Sequence, residues 1–314
     1  MTDSTRQSAC NTSADWHILG GRALKTPSPF GVMGIVNLTP DSFYDGGQHN
    51  SPAPGLRHAL ALRDQGADIL DLGAESSRPG AAELSPQQET ERLLPVLAGL
   101  QREASAAVIS VDTYHADTAA TVLGMGVSII NDISACSFDP ALLDVLVQYK
   151  PGYVLMHSQG RPQTMQHNPR YEDVRREVRE FFECNLARLV RAGLPEDRIV
   201  LDPGIGFGKT LAHNLELLAH PEDWLGFGRP VLMALSMKSV FGGLLSLPPA
   251  RRGAATVAAT ALLRARGRAS LMHSMAIGHC GTSTTSLLEP AFRKPMAGLP
   301  PSFGLSKWGV ILER

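Results

Sequence analysis

Eight short apolar runs recur along the chain, separated by segments of helical periodicity, and no other feature narrows the fold so far. The runs are Val32 to Val36, Ala67 to Leu72, Ala107 to Val111, Val127 to Ile130, Tyr153 to Met156, Arg198 to Leu201, Pro230 to Leu235 and Ala269 to Met272. The helical segments are Gly55 to Gln65, Pro86 to Arg102, Ala116 to Leu123, Pro140 to Gln148, Glu172 to Ala192, a helix beginning at Asn214 to Leu218, and Ala250 to Arg266. Strands separated by helices run parallel, because each helix crosses back over the sheet before the next strand pairs. Eight such units close a ring, and 314 residues is an ordinary length for it. The alternation therefore predicts an α/β fold, a (β/α)8 TIM barrel in a single domain. The eighth helix stays unassigned, because nothing after Met272 keeps the rhythm.

The limits of that rhythm divide the chain. Residues 1–14 are polar, carry no basic-then-apolar leader, and are expected to be a disordered N-terminus. Residues 15–275 form the barrel, with Trp16 to Pro29 as a hairpin ahead of the first strand. Residues 276–314 are an atypical C-terminal tail: Gly281 to Arg314 holds four prolines, four glycines and little periodicity.

Composition excludes several partners. A net charge of −1 leaves no electrostatic footprint for nucleic acid or for an anionic membrane. No apolar run approaches the roughly 20 residues needed to span a bilayer. Cys10, Cys136, Cys184 and Cys280 form no CxxC pair, which argues against zinc and fits a reducing compartment. The expectation is a cytoplasmic protein acting on small molecules, with no nucleic acid and no membrane.

Barrels place their chemistry on the loops that follow the strands. Asp71, Asp112, Asn131 and Asp202 each stand at or near the end of an apolar run. The loop from Leu201 to Thr210 spends three glycines in five residues, which lets its backbone turn sharply beside a flat ligand. Taken singly, each polar residue reads equally well as a satisfied group at a barrel mouth. Together, Asp112, Asn131, Asp202 and Lys238 suit an aminopyrimidinone heterocycle: the carboxylates accept N–H groups, Asn gives and accepts, and Lys covers the ring. Asn37, Ser77 and Arg78, in the first two loops, suit a phosphate-like anion, with the Asn oxygen available to Mg²⁺. Neither a P-loop nor a dinucleotide GxGxxG fingerprint is present.

Five stretches, in order, carry a resemblance. Met33 to Phe43 (MGIVNLTPDSF) resembles the opening signature of dihydropteroate synthase, and Gly73 to Gly80 (GAESSRPG) resembles the second. Ser110 to Thr113, Ile129 to Asp132 and the loop from Asp202 to Thr210 are similar to three more. The resemblance spans roughly residues 16–272. It implies condensation of 6-hydroxymethyl-7,8-dihydropterin pyrophosphate with p-aminobenzoate, giving dihydropteroate and pyrophosphate in folate biosynthesis. It assigns catalytic work to Asp112, Lys238 and Arg78. Pterin-holding positions would be Asp112, Asn131, Asp202 and Lys238, with Phe207 also in the substrate site. Ser77 and Arg78 would hold the pyrophosphate, and Asn37 the Mg²⁺ cofactor. Loops carrying Asp41, Phe43 and Pro79 would close over the aminobenzoate, whose carboxylate meets the Ser236 region.

Two places depart from the family. It usually has Ser-Arg-Lys-Ser after strand seven, where this chain reads Ser236-Met237-Lys238-Ser239. Its strand eight ends in Arg-x-His-Asp, where this chain reads Leu271-Met272-His273-Ser274-Met275, so His273 stands in by position alone. If the serines of Thr282 to Leu287 use TCN codons, reading each codon from its third base permits Val-His-Asp-Val-Ala. That resembles the strand-eight end, and a frameshift between Ala269 and Thr282 would account for the tail. The family's eighth helix contributes to its dimer, so a homodimer is expected only if the tail supplies that helix. Alternative readings are a weak or silent pterin-binding paralogue, or a methyltetrahydrofolate-type methyltransferase barrel. The long loops Asn37–Gly47 and Glu75–Gly80 favour the synthase over the methyltransferase.

Overall fold

The structure, a computed structural model, describes residues 15–24, 31–38, 54–76, 83–236, 238–266 and 271–275. The expected disorder at 1–14, the tail at 276–314, and most of the first two loops lie outside the described residues.

A short antiparallel pair, β1 (Trp16–His17) and β2 (Ala23–Leu24), precedes the barrel, as the hairpin reading expects. Eight parallel strands follow: β3 (Gly31–Asn37), β4 (Ile69–Gly73), β5 (Val108–Asp112), β6 (Ile129–Asp132), β7 (Gly152–Met156), β8 (Ile199–Asp202), β9 (Val231–Ala234) and β10 (Leu271–Met275). They close in sequence order, with β10 pairing both β9 and β3. The described residues therefore form a closed, eight-stranded parallel TIM barrel.

Period-two alternation divides the strand residues between two cores. Val36, Leu70, Leu72, Val111, Ile130, Tyr153, Leu155, Ile199, Leu201 and Met233 share one cluster with the buried faces of the surrounding helices. Met33, Ile69, Val108, Ile129, Val154, Val200 and Leu232 share a second cluster with Trp16 and Ile18 of the hairpin. The hairpin thus seals the N-terminal end of the barrel. Trp16 is 1% exposed and its indole N–H donates to the Arg198 carbonyl at 2.8 Å. Gly152 is required there: a Cβ would come within 2.8 Å of the Ile18 side chain.

The helices are α1 (Pro54–Asp64), α2 (Pro86–Glu103), α3 (Ala116–Gly124), α4 (Leu142–Tyr149), α5 (Val174–Ala192), α6 (Leu211–Ala219), α7 (Glu222–Leu225), α8 (Ser239–Leu245) and α9 (Gly253–Arg266). Local chemistry sets several ends. Ser85 and Gln88 form a reciprocal capping box at α2, which has Pro86 in its first turn. Asp173 caps α5 through the Arg176 N–H, and Gly193 ends it in the left-handed conformation. Helix α4 begins at Leu142, two residues after the expected Pro140. Neither α7 nor α8 is foreseen from periodicity. Each is too short to show a repeat, and α8 (SVFGGLL) has glycines that weaken its propensity, so burial of Val240 and Phe241 is what holds it. Among the described residues, no helix is long and apolar enough to cross a membrane.

Candidate active site

The C-terminal strand ends converge on one mouth. Asp112 closes β5 and lies in register with Gly73 on one side and Asn131 on the other. Asp202 closes β8 beside Met156. Below Asn131 sits Asp71, buried inside the barrel, and Asn131 Nδ2 donates to its Oδ2 at 2.9 Å. Burial raises the pKa of Asp71. Burial also holds Asp112 well above the usual carboxylate range, reinforced by repulsion from Asp71 and then from Glu89, Asp132 and Glu75. This side of the mouth is rich in acceptors and favours a ligand that brings N–H groups or developing positive charge.

The opposite side is the glycine loop after β8. Asp202 Oδ1 accepts from the Gly204 N–H at 2.7 Å, yet burial pushes the carboxyl up to about 6, against the pull of that bond, Lys238 and Lys209. Gly204 has φ +66°, and a Cβ there would collide with the His157 carbonyl oxygen, so no other residue fits. Lys238 immediately precedes α8, and its Nζ lies 4.1 Å from the centroid of the Phe207 ring. Burial pushes this lysine down to about 8, opposed by Asp202 and Asp112.

Between the two polar sides lies an apolar patch. Tyr114, Ile133, Met156, Met165 and Phe207 form a separate cluster, with Phe138 packed against it. The Arg161 guanidinium covers the Phe138 ring at 4.5 Å and pairs with Glu83 at 3.2 Å. The arrangement is an apolar bed edged by carboxylates, an amide and a lysine, which suits a flat, nitrogen-rich ring.

The family model for pterin binding enzymes matches residues 33–272, three-quarters of the chain and all eight strand ends but that of β10. The dihydropteroate synthase of Escherichia coli (strain K12) is 41% identical over 236 residues, covering 75% of this chain and 83% of that protein. That of Bacillus subtilis (strain 168) is 42% identical over 231 residues, covering 74% and 78%. The chain belongs to the dihydropteroate synthase family. The Xanthomonas albilineans dihydropteroate synthase, solved with 4-aminobenzoic acid, superposes with a TM-score of 0.78 at 35% identity, covering 90% of this chain and all of that one. The Yersinia pestis dihydropteroate synthase, solved with a sulfonamide drug complex, gives 0.75 at 38% identity, covering 87% and 98%.

Against that family, the described site residues fall as follows. Asp112, Asn131, Asp202, Phe207 and Lys238 meet at one mouth, with Asn37 ending β3 at its rim and Ser236 just before Lys238. His273 lies on β10, in register with Val32 and Met233. Ser77, Arg78, Pro79, Phe43, Asp41 and Met237 lie outside the described residues.

Asp71, read from the sequence as standing near a strand end, lies in the middle of β4. Several other residues at the mouth escape sequence reasoning. Glu75 accepts from the Tyr114 hydroxyl at 2.9 Å and from the Leu84 N–H at 3.4 Å, tying together the two stems of the second loop. It also raises the pKa of His115, 3.8 Å away. The stretch Gly160 to Asn168 reads as a polar loop, yet it delivers Met165 to the apolar bed. Asp132, beside Asn131, is structural. Its oxygens accept from the N–H groups of Ser134 (2.7 Å) and Cys136 (2.6 Å) and from the Tyr153 hydroxyl (2.9 Å).

Proposed function

We propose that this chain joins 6-hydroxymethyl-7,8-dihydropterin pyrophosphate to p-aminobenzoate, giving dihydropteroate and pyrophosphate. The observation that carries the reading is the convergence of Asp112, Asn131 and Asp202 on a mouth where Lys238 lies over Phe207. The carboxylates accept the pterin's ring and amino N–H groups, Asn131 offers a donor and an acceptor, and Lys238 donates to the ring carbonyl. Phe207 and its neighbours take the apolar surface.

The reaction breaks the bond from the pterin methylene carbon to the pyrophosphate oxygen and forms one from that carbon to the aryl nitrogen. An aryl amine is nucleophilic without a strong base, so the main demand is electrostatic. The pterin's N–H groups and developing cation favour the ionised form of Asp112 against the burial that raises its pKa, and the carboxylate in turn stabilises the positive charge that develops as pyrophosphate leaves. Ser77 and Arg78 receive the leaving anion, Arg78 through a bidentate fork. Phe43, Pro79 and Asp41 enclose the aminobenzoate, with Ser236 toward its carboxylate, while His273 stands by position for the family's strand-eight histidine at the anionic end of the pterin substrate.

Asn37 fits a Mg²⁺ role. It ends β3 with an amide side chain, and Mg²⁺ commonly takes few protein ligands, drawing its other oxygens from water and substrate phosphates. When bound, the ion neutralises charge on the pyrophosphate.

The test is a pyrophosphate-release assay with both substrates and Mg²⁺. Pyrophosphate and dihydropteroate should form in equal amounts, and only when p-aminobenzoate is present. Pterin binding without any product would favour the silent paralogue.

A further inference from the structure

Lys209 is 3% exposed and makes no contact with the ligand in the reading above. Its Nζ donates to the carbonyls of Gly204 and Phe207, both at 3.0 Å, and to that of His157 at 3.3 Å. It also lies 2.9 Å from His157 Nδ1. Burial and the adjacent lysine hold His157 well below its ordinary pKa, so the ring is neutral. A charged Lys209 therefore donates to Nδ1, which places the imidazole proton on Nε2. Four acceptors from the ends of two strands surround one ammonium.

The rest of the loop is tied from outside in the same manner. Gln166 donates to the Gly206 carbonyl at 2.6 Å, Tyr171 to that of Gly208 at 2.9 Å, and the Gly206 N–H donates to Asn214 at 2.7 Å. Carbonyl groups that converge within a buried turn repel one another unless a donor sits among them, and here Lys209 is that donor. Burial pushes Lys209 down to about 7 and Lys238 opposes its charge, while Asp202 favours it. The four acceptors around Nζ leave no donor for an amine lone pair, so the packing favours the ammonium that burial disfavours.

We propose that Lys209 is a positioning residue: its ammonium is the internal cation around which residues 204–208 are wound, and it thereby sets where Asp202 and Phe207 meet the pterin. The inference rests on the pterin-binding reading and adds the element that shapes that half of the site. It concerns the heterocycle and leaves the anion subsite at Ser77 and Arg78 untouched, which separates positioning from general stability.

The experiment compares the full-length protein with Lys209→Met, which keeps the length of the chain and removes the charge. Calorimetry would measure a neutral 6-substituted pterin and, separately, inorganic pyrophosphate with Mg²⁺. The expected result is a pterin Kd raised at least tenfold with the pyrophosphate Kd within twofold of wild type. Nitrogen-15 spectra of the histidines should also show the His157 Nδ1 signal shifting in the variant. Should Lys209→Met not fold, Lys209→Gln, which retains two donors, should show the same split at smaller amplitude. Equal losses for both ligands, or an unchanged pterin Kd, would overturn the proposal. If the wild-type protein itself binds no pterin, the functional reading fails first and this inference with it.

Discussion

Asp71 fixes the face that Asn131 shows to the mouth. With Nδ2 held at 2.9 Å by a buried carboxylate 60 residues earlier in the chain, the amide oxygen of Asn131 is free for a ligand donor. Asp71 also repels Asp112, second only to burial among the causes of that residue's raised pKa. Asp71→Ala should therefore let the amide rotate and bring Asp112 back toward the ordinary carboxylate range. We expect pterin affinity to fall about tenfold, in line with about 1–1.5 kcal/mol for an oriented hydrogen bond. Titration calorimetry showing unchanged affinity would dismiss the orienting role.

Pterin binding should peak near neutral pH. Asp202 must be ionised to accept N–H groups, so affinity falls as pH drops through about 6. Lys238 must be charged to donate to the ring carbonyl and Lys209 to hold the glycine loop, so affinity also falls as pH rises through about 7 and about 8. Measured from pH 5 to 9, the Kd should describe a bell. A flat profile would mean that neither Asp202 nor Lys238 faces the ligand.

Removing the lysine tests the other side. Lys238→Ala deletes the cation over Phe207 and the donor to the ring, and charged hydrogen bonds and cation–π contacts contribute about 1–3 kcal/mol each. Pterin affinity should drop by roughly 30-fold or more. Thermal stability should hold or rise, since a charge that burial disfavours is gone. If binding and turnover both survive, the strand-seven end lies outside the site.

Arg78→Lys keeps the charge but loses the planar fork. The KM for the pyrophosphate substrate should rise about tenfold, while a neutral pterin binds as before. Parallel losses for both ligands would assign Arg78 a structural role.

A purely structural variant makes the contrast. Trp16→Ala opens the sealed floor of the barrel and removes the bond to the Arg198 carbonyl. It should cost about 3–5 kcal/mol, lowering Tm by roughly 6–20 °C for a domain of this size. Pterin affinity of the folded fraction, measured well below the melt, should not change.

Much of this was legible in the chain alone, and the physics says which part. Strands buried on both faces read as apolar runs and helices packed on one face read as periodic segments, so the barrel follows from patterns a few residues long. Because ligands bind at the strand ends of such a barrel, Asp112, Asn131 and Asp202 could be picked out at the same time. The sequence alone could not show pairings between distant residues. Asn131 meets Asp71 across 60 residues, Tyr114 meets Glu75 across 39, and Lys209 meets His157 across 52. A lysine that ends a glycine loop reads as an exposed cation, and a methionine in a polar loop reads as incidental. Only closure of the ring brings β7 against β8 and buries Lys209 among carbonyls, and only the packed mouth draws Met165 inward. Local pattern determined the barrel and the polar rim at its strand ends. Long-range packing decided which way each rim group faces and what holds it there.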